Sequence, residues 1–539
     1  MTSVSSVSDA VALGEEGRAG SPRSEKPCRY AARALLAILA LLTLSTPAQA
    51  RTLDGTPVIV QAPAGKLAGR ALNGVEGFAG IPYVRPPTGA LRWRAPQPAP
   101  AWAGVRDAAA FGNDCPQQRL PFDATPSTQP TGEDCLALNI WRPAGARRLP
   151  VMVWIHGGGF VMGSSASPVL DGAALARRGV VLVSFNYRLG RFGFFAHPAL
   201  TAEAGGRPTA DFALLDMIAA LRWVKANIAA FGGDPAKVTI FGESAGGAAV
   251  NLLMASPLAR GLFSKAIVES GATRLPYARL SSDRPGQVSA EKAGVAFAAS
   301  AGLADPDAAA LRALTPTAVQ GGLGLMDMQP GRFSGPIIDG VAVPADPVDA
   351  FAAGHEARVP YLVGTNGAEL SLEPFAPLLM ASITKQLSAA SLADLKTVYG
   401  DPPAPALIDH FLFTEPARGF ARLTAARGVP TFLYVFDYVA EADRGRRKGA
   451  GHASELAYLF GNLPASATPA DRATSQLIGD YWTNFAKTGN PNAPGLPPWP
   501  RYDTADRLLL IGNDAVAGKA HYAGPRLDAV ERVYAAMPR

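Results

Sequence analysis

The chain has 539 residues, 48% of them hydrophobic and 17% charged, a balance that excludes disorder over most of its length. Glycine (56) and proline (47) are abundant without a triplet repeat, which excludes collagen and implies many turns. A net charge of +6, with its one dense basic run confined to Arg444 through Lys448, lacks the clustered stripe that nucleic-acid binding requires.

At the N-terminus, Lys26, Arg29 and Arg33 precede an apolar run from Ala34 to Leu44. Ser45-Thr46-Pro47 and the small-x-small pattern Ala48-Gln49-Ala50 follow. This order reads as a secretory signal, residues 1–50, cleaved after Ala50 and leaving residues 51–539 as a single domain. The apolar run falls short of the ~18 residues that span a bilayer, so no stable membrane anchor is expected. The expected location is secreted or periplasmic. Cleavage removes Cys28 and leaves Cys115 and Cys135, an even number in an oxidising compartment. A disulfide between them is expected, with two buried free thiols as the alternative.

Further along, short runs rich in β-branched and aromatic residues read as buried strands: Val151 to Ile155, Val180 to Phe185, Val238 to Phe241, Ala266 to Val268, Tyr361 to Val363 and Thr431 to Phe436. Leu214, Ile218, Leu221, Val224 and Ile228 recur every three or four residues, one face of a long helix. A second helical pattern runs from Ala245 to Met254. Alternating strands and helices predict an α/β fold with a large, mainly parallel central sheet. The stretch from about Leu280 to Leu395 is richer in helical and loop patterns, and reads as insertions on that frame.

Gly242-Glu243-Ser244-Ala245-Gly246 spells G-x-S-x-G between a predicted strand and a predicted helix. Such a bend needs small neighbours, lifts the serine hydroxyl out of the sheet and aims the next N–H at developing negative charge. Upstream, His156-Gly157-Gly158-Gly159-Phe160 directly follows the strand Val151 to Ile155. Its glycines leave backbone N–H groups unshielded, and two of them with the N–H of Ala245 would make a three-donor oxyanion hole. A phosphate loop is the alternative, but neither a G-x-x-x-x-G-K-[ST] motif nor Rossmann glycine spacing is present.

Several ordered motifs now point one way. The run from Phe231-Gly232-Gly233-Asp234 through Gly242-Glu243-Ser244-Ala245-Gly246-Gly247 resembles the serine signature of the type-B carboxylesterase family. Glu133-Asp134-Cys135-Leu136 through Ile140 resembles its second signature, and Gly80-Ile81-Pro82-Tyr83, Leu91-Arg92-Trp93, Asn186-Tyr187-Arg188 and Asp339-Gly340 match as well. Cholinesterases, bacterial para-nitrobenzyl esterases and neuroligins share this pattern and an α/β-hydrolase fold. One departure is Ala210-Asp211-Phe212-Ala213, where relatives usually carry Asn and Gly.

The resemblance implies a triad in the order serine, acid, histidine, with Ser244 as nucleophile. Tyr361 through Glu369 fits the family's strand and acid loop, which selects Glu369 over Glu373 and Asp339. His452, after Gly449-Ala450-Gly451, resembles the family's histidine loop, whereas His410 reads as a helix flank and His521 as a polar loop. By the same analogy Gly158, Gly159 and Ala245 form the oxyanion hole, and Glu243, Glu455 and Ser270 gather beside the histidine. His156 reads as a loop-orienting residue, and Phe160 either borders the pocket or packs in the core. The His452-x-x-Glu455 spacing lacks the further ligands of a metal site, and no metal or other cofactor is expected.

The expected activity is that of a serine carboxylesterase on a small-molecule ester. An amidase or acyltransferase using the same triad, and a binding-only neuroligin-like protein, are the alternatives. No Trp lies between Cys115 and Cys135, which disfavours choline esters, and that polar loop does not resemble a lipase lid. Arg274 is either an exposed surface residue or a partner for a carboxylate-bearing acyl group. Nothing in the sequence selects an oligomeric state.

Overall fold

A computed structural model describes residues 50–205, 210–327 and 331–537. Except for Ala50, the segment read as an export signal lies outside the described residues.

The described residues form fifteen strands: β1 (Thr56–Ala62), β2 (Gly65–Leu72), β3 (Val75–Pro82), β4 (Val105–Asp107), β5 (Ala137–Pro143), β6 (Leu149–Ile155), β7 (Val181–Phe185), β8 (Gly233–Glu243), β9 (Lys265–Glu269), β10 (Ala278–Arg279), β11 (Ile337–Ile338), β12 (Tyr361–Asn366), β13 (Thr431–Asp437), β14 (Leu508–Gly512) and β15 (Val516–Lys519). All but β10 and β11 join one sheet, ordered β1-β2-β3-β5-β7-β6-β8-β9-β12-β13-β14-β15 with β4 beside β2. From β7 to β14 every neighbouring pair is parallel, and antiparallel strands flank that block on both sides.

The reading of buried strands follows from what covers the sheet. Side chains alternate faces along a strand. Val151, Val153 and Ile155 of β6 enter one core with the helices Phe212–Asn227 and Ala245–Ala255. Met152 and Trp154 enter a second core with the helix Pro469–Thr488. Both faces are dry, so the strand reads as a continuous apolar run instead of an alternating one. The helix Phe212–Asn227 buries Leu214, Ile218, Leu221 and Val224 as their spacing predicts. It also buries Phe212, Met217 and Ala220, which leaves little beyond Arg222, Lys225 and Ala226 to solvent. Ile228 lies just past its end, in a 3₁₀ turn.

The helical region after Leu280 divides between two satellite cores. Ala290–Ser300, Ala308–Ala313 and Pro316–Gln320 pack near Trp93, Phe192 and Phe195. Ala376–Lys385 and Ala389–Tyr399 pack against the C-terminal helix Gly524–Ala536. Between these groups β12 returns to the sheet next to β9, which brings the loop after it to the same sheet edge as the end of β8. Among the described residues, no helix is long and apolar enough to cross a membrane.

Candidate active site

Strand β8 stops at Glu243 and a helix starts at Ala245, leaving Ser244 alone in the bend at φ 56°, ψ −123°. The bend closes on bare backbone. A Cβ at Gly246 would lie 2.0 Å from the Ile155 carbonyl oxygen, and one at Gly242 would lie 2.6 Å from that same oxygen. The Ser244 N–H donates to the Glu269 carbonyl at 2.9 Å, which ties the turn to β9. Ala245 opens the helix, so its N–H has no acceptor within the helix and remains available to a ligand.

The glycine loop after β6 passes against this bend. A Cβ at Gly157 would sit 3.1 Å from the Ser244 Cβ and 2.8 Å from the Glu243 carbonyl oxygen. Gly158 and Gly159 adopt φ of 97° and 61°, and the Gly158 carbonyl accepts from Val161 and Met162. His156 is buried, with its ring stacked 4.4 Å from Tyr187 and its carbonyl accepting from the Tyr187 hydroxyl at 2.7 Å. Burial lowers its pKa to about 4, so it stays neutral while it holds the loop. Phe160 packs edge-on against Phe194 at 5.1 Å and is buried.

Two distant loops converge on Ser244. His452 Nε2 lies 2.9 Å from Ser244 Oγ, and His452 Nδ1 lies 2.7 Å from Glu369 Oε2. The second carboxylate oxygen of Glu369 accepts from the Asn366 N–H at 2.7 Å. Backbone bonds join the acid and histidine loops directly, from His452 N–H to the Glu369 carbonyl and from Ala368 N–H to the Ala450 carbonyl, both at 2.9 Å. Asn366 adds side-chain bonds to the Gly451 carbonyl and to Glu455. No single motif in the sequence singles out Asn366; it stands in the turn Thr365-Asn366-Gly367, three residues before the acid.

The rival residues go elsewhere. Glu373 pairs with Arg447, and Asp339 caps its own turn through the N–H groups of Val341 and Val343. His410 meets the Tyr399 hydroxyl at 2.8 Å, and His521 is exposed.

Glu243 lies beside the histidine, its Oε1 3.2 Å from His452 Nε2. Burial pushes the Glu243 pKa up, and the nearby carboxyls of Glu455 and Glu369 add to the shift. Burial by itself would lower His452, but the charges of Glu243 and Glu369 outweigh it and raise the group. With the proton on Glu243, the imidazole loses the negative neighbour of its Nε2, which is then free to accept from Ser244. Ser270 was expected in this cluster, yet its buried Oγ hydrogen-bonds to neither glutamate.

Two surrounding features depart from the sequence reading or were absent from it. Arg274 is neither a surface residue nor a free cation. It is largely buried in an ion pair with Glu415 and lies 4.9 Å over the Tyr534 ring. Cys115 and Cys135 are bonded, and their loop is fastened to the glycine loop by Gln117, which exchanges two 2.9 Å bonds with the backbone of Gly163. Gln117 carries no sequence signal, since any polar loop residue reads the same way.

A sequence model described as the carboxylesterase family matches residues 56–395 and 403–529. The chain is 37% identical over 486 residues to a fumonisin B1 esterase of Sphingopyxis macrogoltabida, covering 84% of this chain and 87% of that protein. It is 36% identical to a para-nitrobenzyl esterase of Bacillus subtilis (strain 168), over 85% of this chain and 95% of that one. A solved PNB esterase structure superposes with a TM-score of 0.77 at 32% identity, over 88% of this chain and 100% of the other. The sheet, with its parallel centre and helices on both faces, is thus the α/β-hydrolase fold expected from the sequence. With sequence agreement across nearly the whole described chain and a matching architecture, this chain belongs to the carboxylesterase family.

Proposed function

We propose that this carboxylic ester hydrolase works through an acyl-enzyme on Ser244, with His452 as general base and Glu369 as its orienting acid. The observation that carries the reading is the unbroken contact from Glu369 Oε2 through the imidazole to Ser244 Oγ, at 2.7 and 2.9 Å. A serine hydroxyl is a weak nucleophile near neutral pH, so His452 takes its proton as attack proceeds. Glu369 holds the tautomer with the proton on Nδ1 and stabilises the imidazolium that forms. The tetrahedral oxyanion is held by the N–H groups of Gly158, Gly159 and Ala245, each donor of this kind being worth roughly 10²–10³ in rate. His452 then returns the proton to the departing alcohol, and water activated by the same imidazole cleaves the acyl-enzyme.

The substrate in this reading is a small-molecule carboxylic ester. Its site lies in a mature domain of residues 51–539, exported to the periplasm or beyond after cleavage at Ala50. An N-terminal sequence of the exported protein that begins elsewhere would contradict the cleavage site.

The decisive assay is hydrolysis of p-nitrophenyl esters from acetate to palmitate by residues 51–539 and by its Ser244→Ala variant. Activity on the short esters that vanishes in the variant is expected. A rate that survives the substitution would remove Ser244 as nucleophile. Glu369→Gln should lower kcat on the order of 10⁴-fold while the protein stays folded.

A further inference from the structure

The acid loop has a further support besides its bonds to the histidine loop. Asp409, buried, supplies it: its Oδ1 accepts the N–H of Leu370 at 2.8 Å and of Ser371 at 2.9 Å. These are the two residues directly after Glu369. Four residues beyond Asp409, Phe413 places its ring 5.2 Å from the His452 ring at 49°. Residues four apart share one side of a helical turn, so a single element reaches both the acid and the base.

That element is a π-helical turn, His410–Thr414. Such turns are rare and occur frequently at functional sites. This one is pinned from outside. His410 meets the Tyr399 hydroxyl, and Phe411 stacks on Tyr534 at 4.7 Å while its carbonyl accepts from the Tyr534 hydroxyl. The two nitrogens of His452 are already committed to Glu369 and Ser244, which leaves the ring faces to be set by packing. Phe413 packs against the imidazole at a 49° tilt, and an aromatic ring beside an imidazole also favours the cation formed during attack.

We infer that the π-helical turn His410–Thr414, with the Asp409 before it, is a positioning device: Asp409 fixes the Glu369 loop and Phe413 fixes the plane of the His452 imidazole. The inference rests on the triad reading given above. Neither residue touches the reacting atoms, so both act through Glu369 and His452. Misplacing a reacting group by about 1 Å costs on the order of 10²-fold in rate.

The test uses residues 51–539 carrying Phe413→Leu, Phe413→Tyr, Asp409→Ala or Asp409→Asn, assayed on p-nitrophenyl acetate and ethyl acetate. Phe413→Leu should lower kcat about tenfold on both esters with KM little changed, and Phe413→Tyr should restore it. Asp409→Ala should lose at least as much, whereas Asp409→Asn, which keeps the accepting oxygen, should stay near the parent rate. Wild-type kcat in Phe413→Leu would overturn the inference. So would a loss confined to KM or to one alcohol, since that would make Phe413 a substrate contact. If Asp409→Ala does not fold, the Phe413 pair decides the question. A fluorophosphonate probe separates the two levels. Labelling of the parent that is lost in Ser244→Ala, together with an unaffected Phe413→Leu, removes this inference and leaves the triad standing.

Discussion

At Ser244 the backbone occupies φ 56°, ψ −123°, which a residue bearing a Cβ adopts only where its surroundings enforce it. The enforcement is steric. Gly246 has the Ile155 carbonyl where its Cβ would be, so Gly246→Ala must push β6 and the helix Ala245–Ala255 apart. A cost of about 3 kcal/mol and the loss of most activity are expected, read by urea denaturation and by the acetate assay. A variant as stable and as active as the parent would contradict the close approach. These short-range constraints are what made Ser244 and the glycine loop legible, because each is written in five or six consecutive residues. Arg274 was misjudged for the opposite reason. Its partner Glu415 stands 141 positions away, and nothing near Arg274 announces it.

The elements bring residues together that no local pattern connects. The loop closed by Cys115 and Cys135 spans a separation of 20 residues, and its Gln117 is anchored beside the glycine loop. Closing a loop of that length stabilises the folded chain by roughly 3 kcal/mol in the chain-entropy model. Reduction should therefore lower the melting temperature, and the loosened Gln117 contact should lower kcat in the same sample. An unchanged melting temperature after verified reduction would contradict the contribution assigned to the bridge. The disulfide was readable from the cysteine count together with the expectation of export. The Gln117 anchor and the π-helical turn were not, since both depend on how loops from different parts of the chain settle on the sheet.

Across the whole molecule, burial is the dominant influence on titration. It raises Asp409 to about 6 and Glu415 to about 7, and pushes Glu269, Glu243 and Glu455 upward as well. A carboxyl raised on folding holds its proton more tightly in the folded chain, so stability declines as pH climbs through its folded value. His156 and His410, lowered by burial to about 4, oppose folding only as pH falls below about 6.5. Above that point the raised carboxyls set the sign. Calorimetry should thus give a lower melting temperature at pH 8.5 than at pH 6.5, and a rise over that interval would contradict the assignment.

Patterns of period and short steric motifs gave the α/β class, six strands of the parallel block and the elbow at Ser244, while the resemblance to a known family supplied the candidates Glu369 and His452. Each rests on residues close together in the chain, where hard-sphere contacts and burial leave few options. The distances among the three site residues are of another kind. Ser244 and His452 are 208 positions apart, and Glu369 and His452 are 83 apart. They meet because β8, β9, β12 and β13 lie side by side in parallel register, so that their C-terminal ends open on one edge of the sheet. Strand order and register come from packing both faces of the sheet at once. That is a cooperative property of the folded chain, which no local stretch of it records.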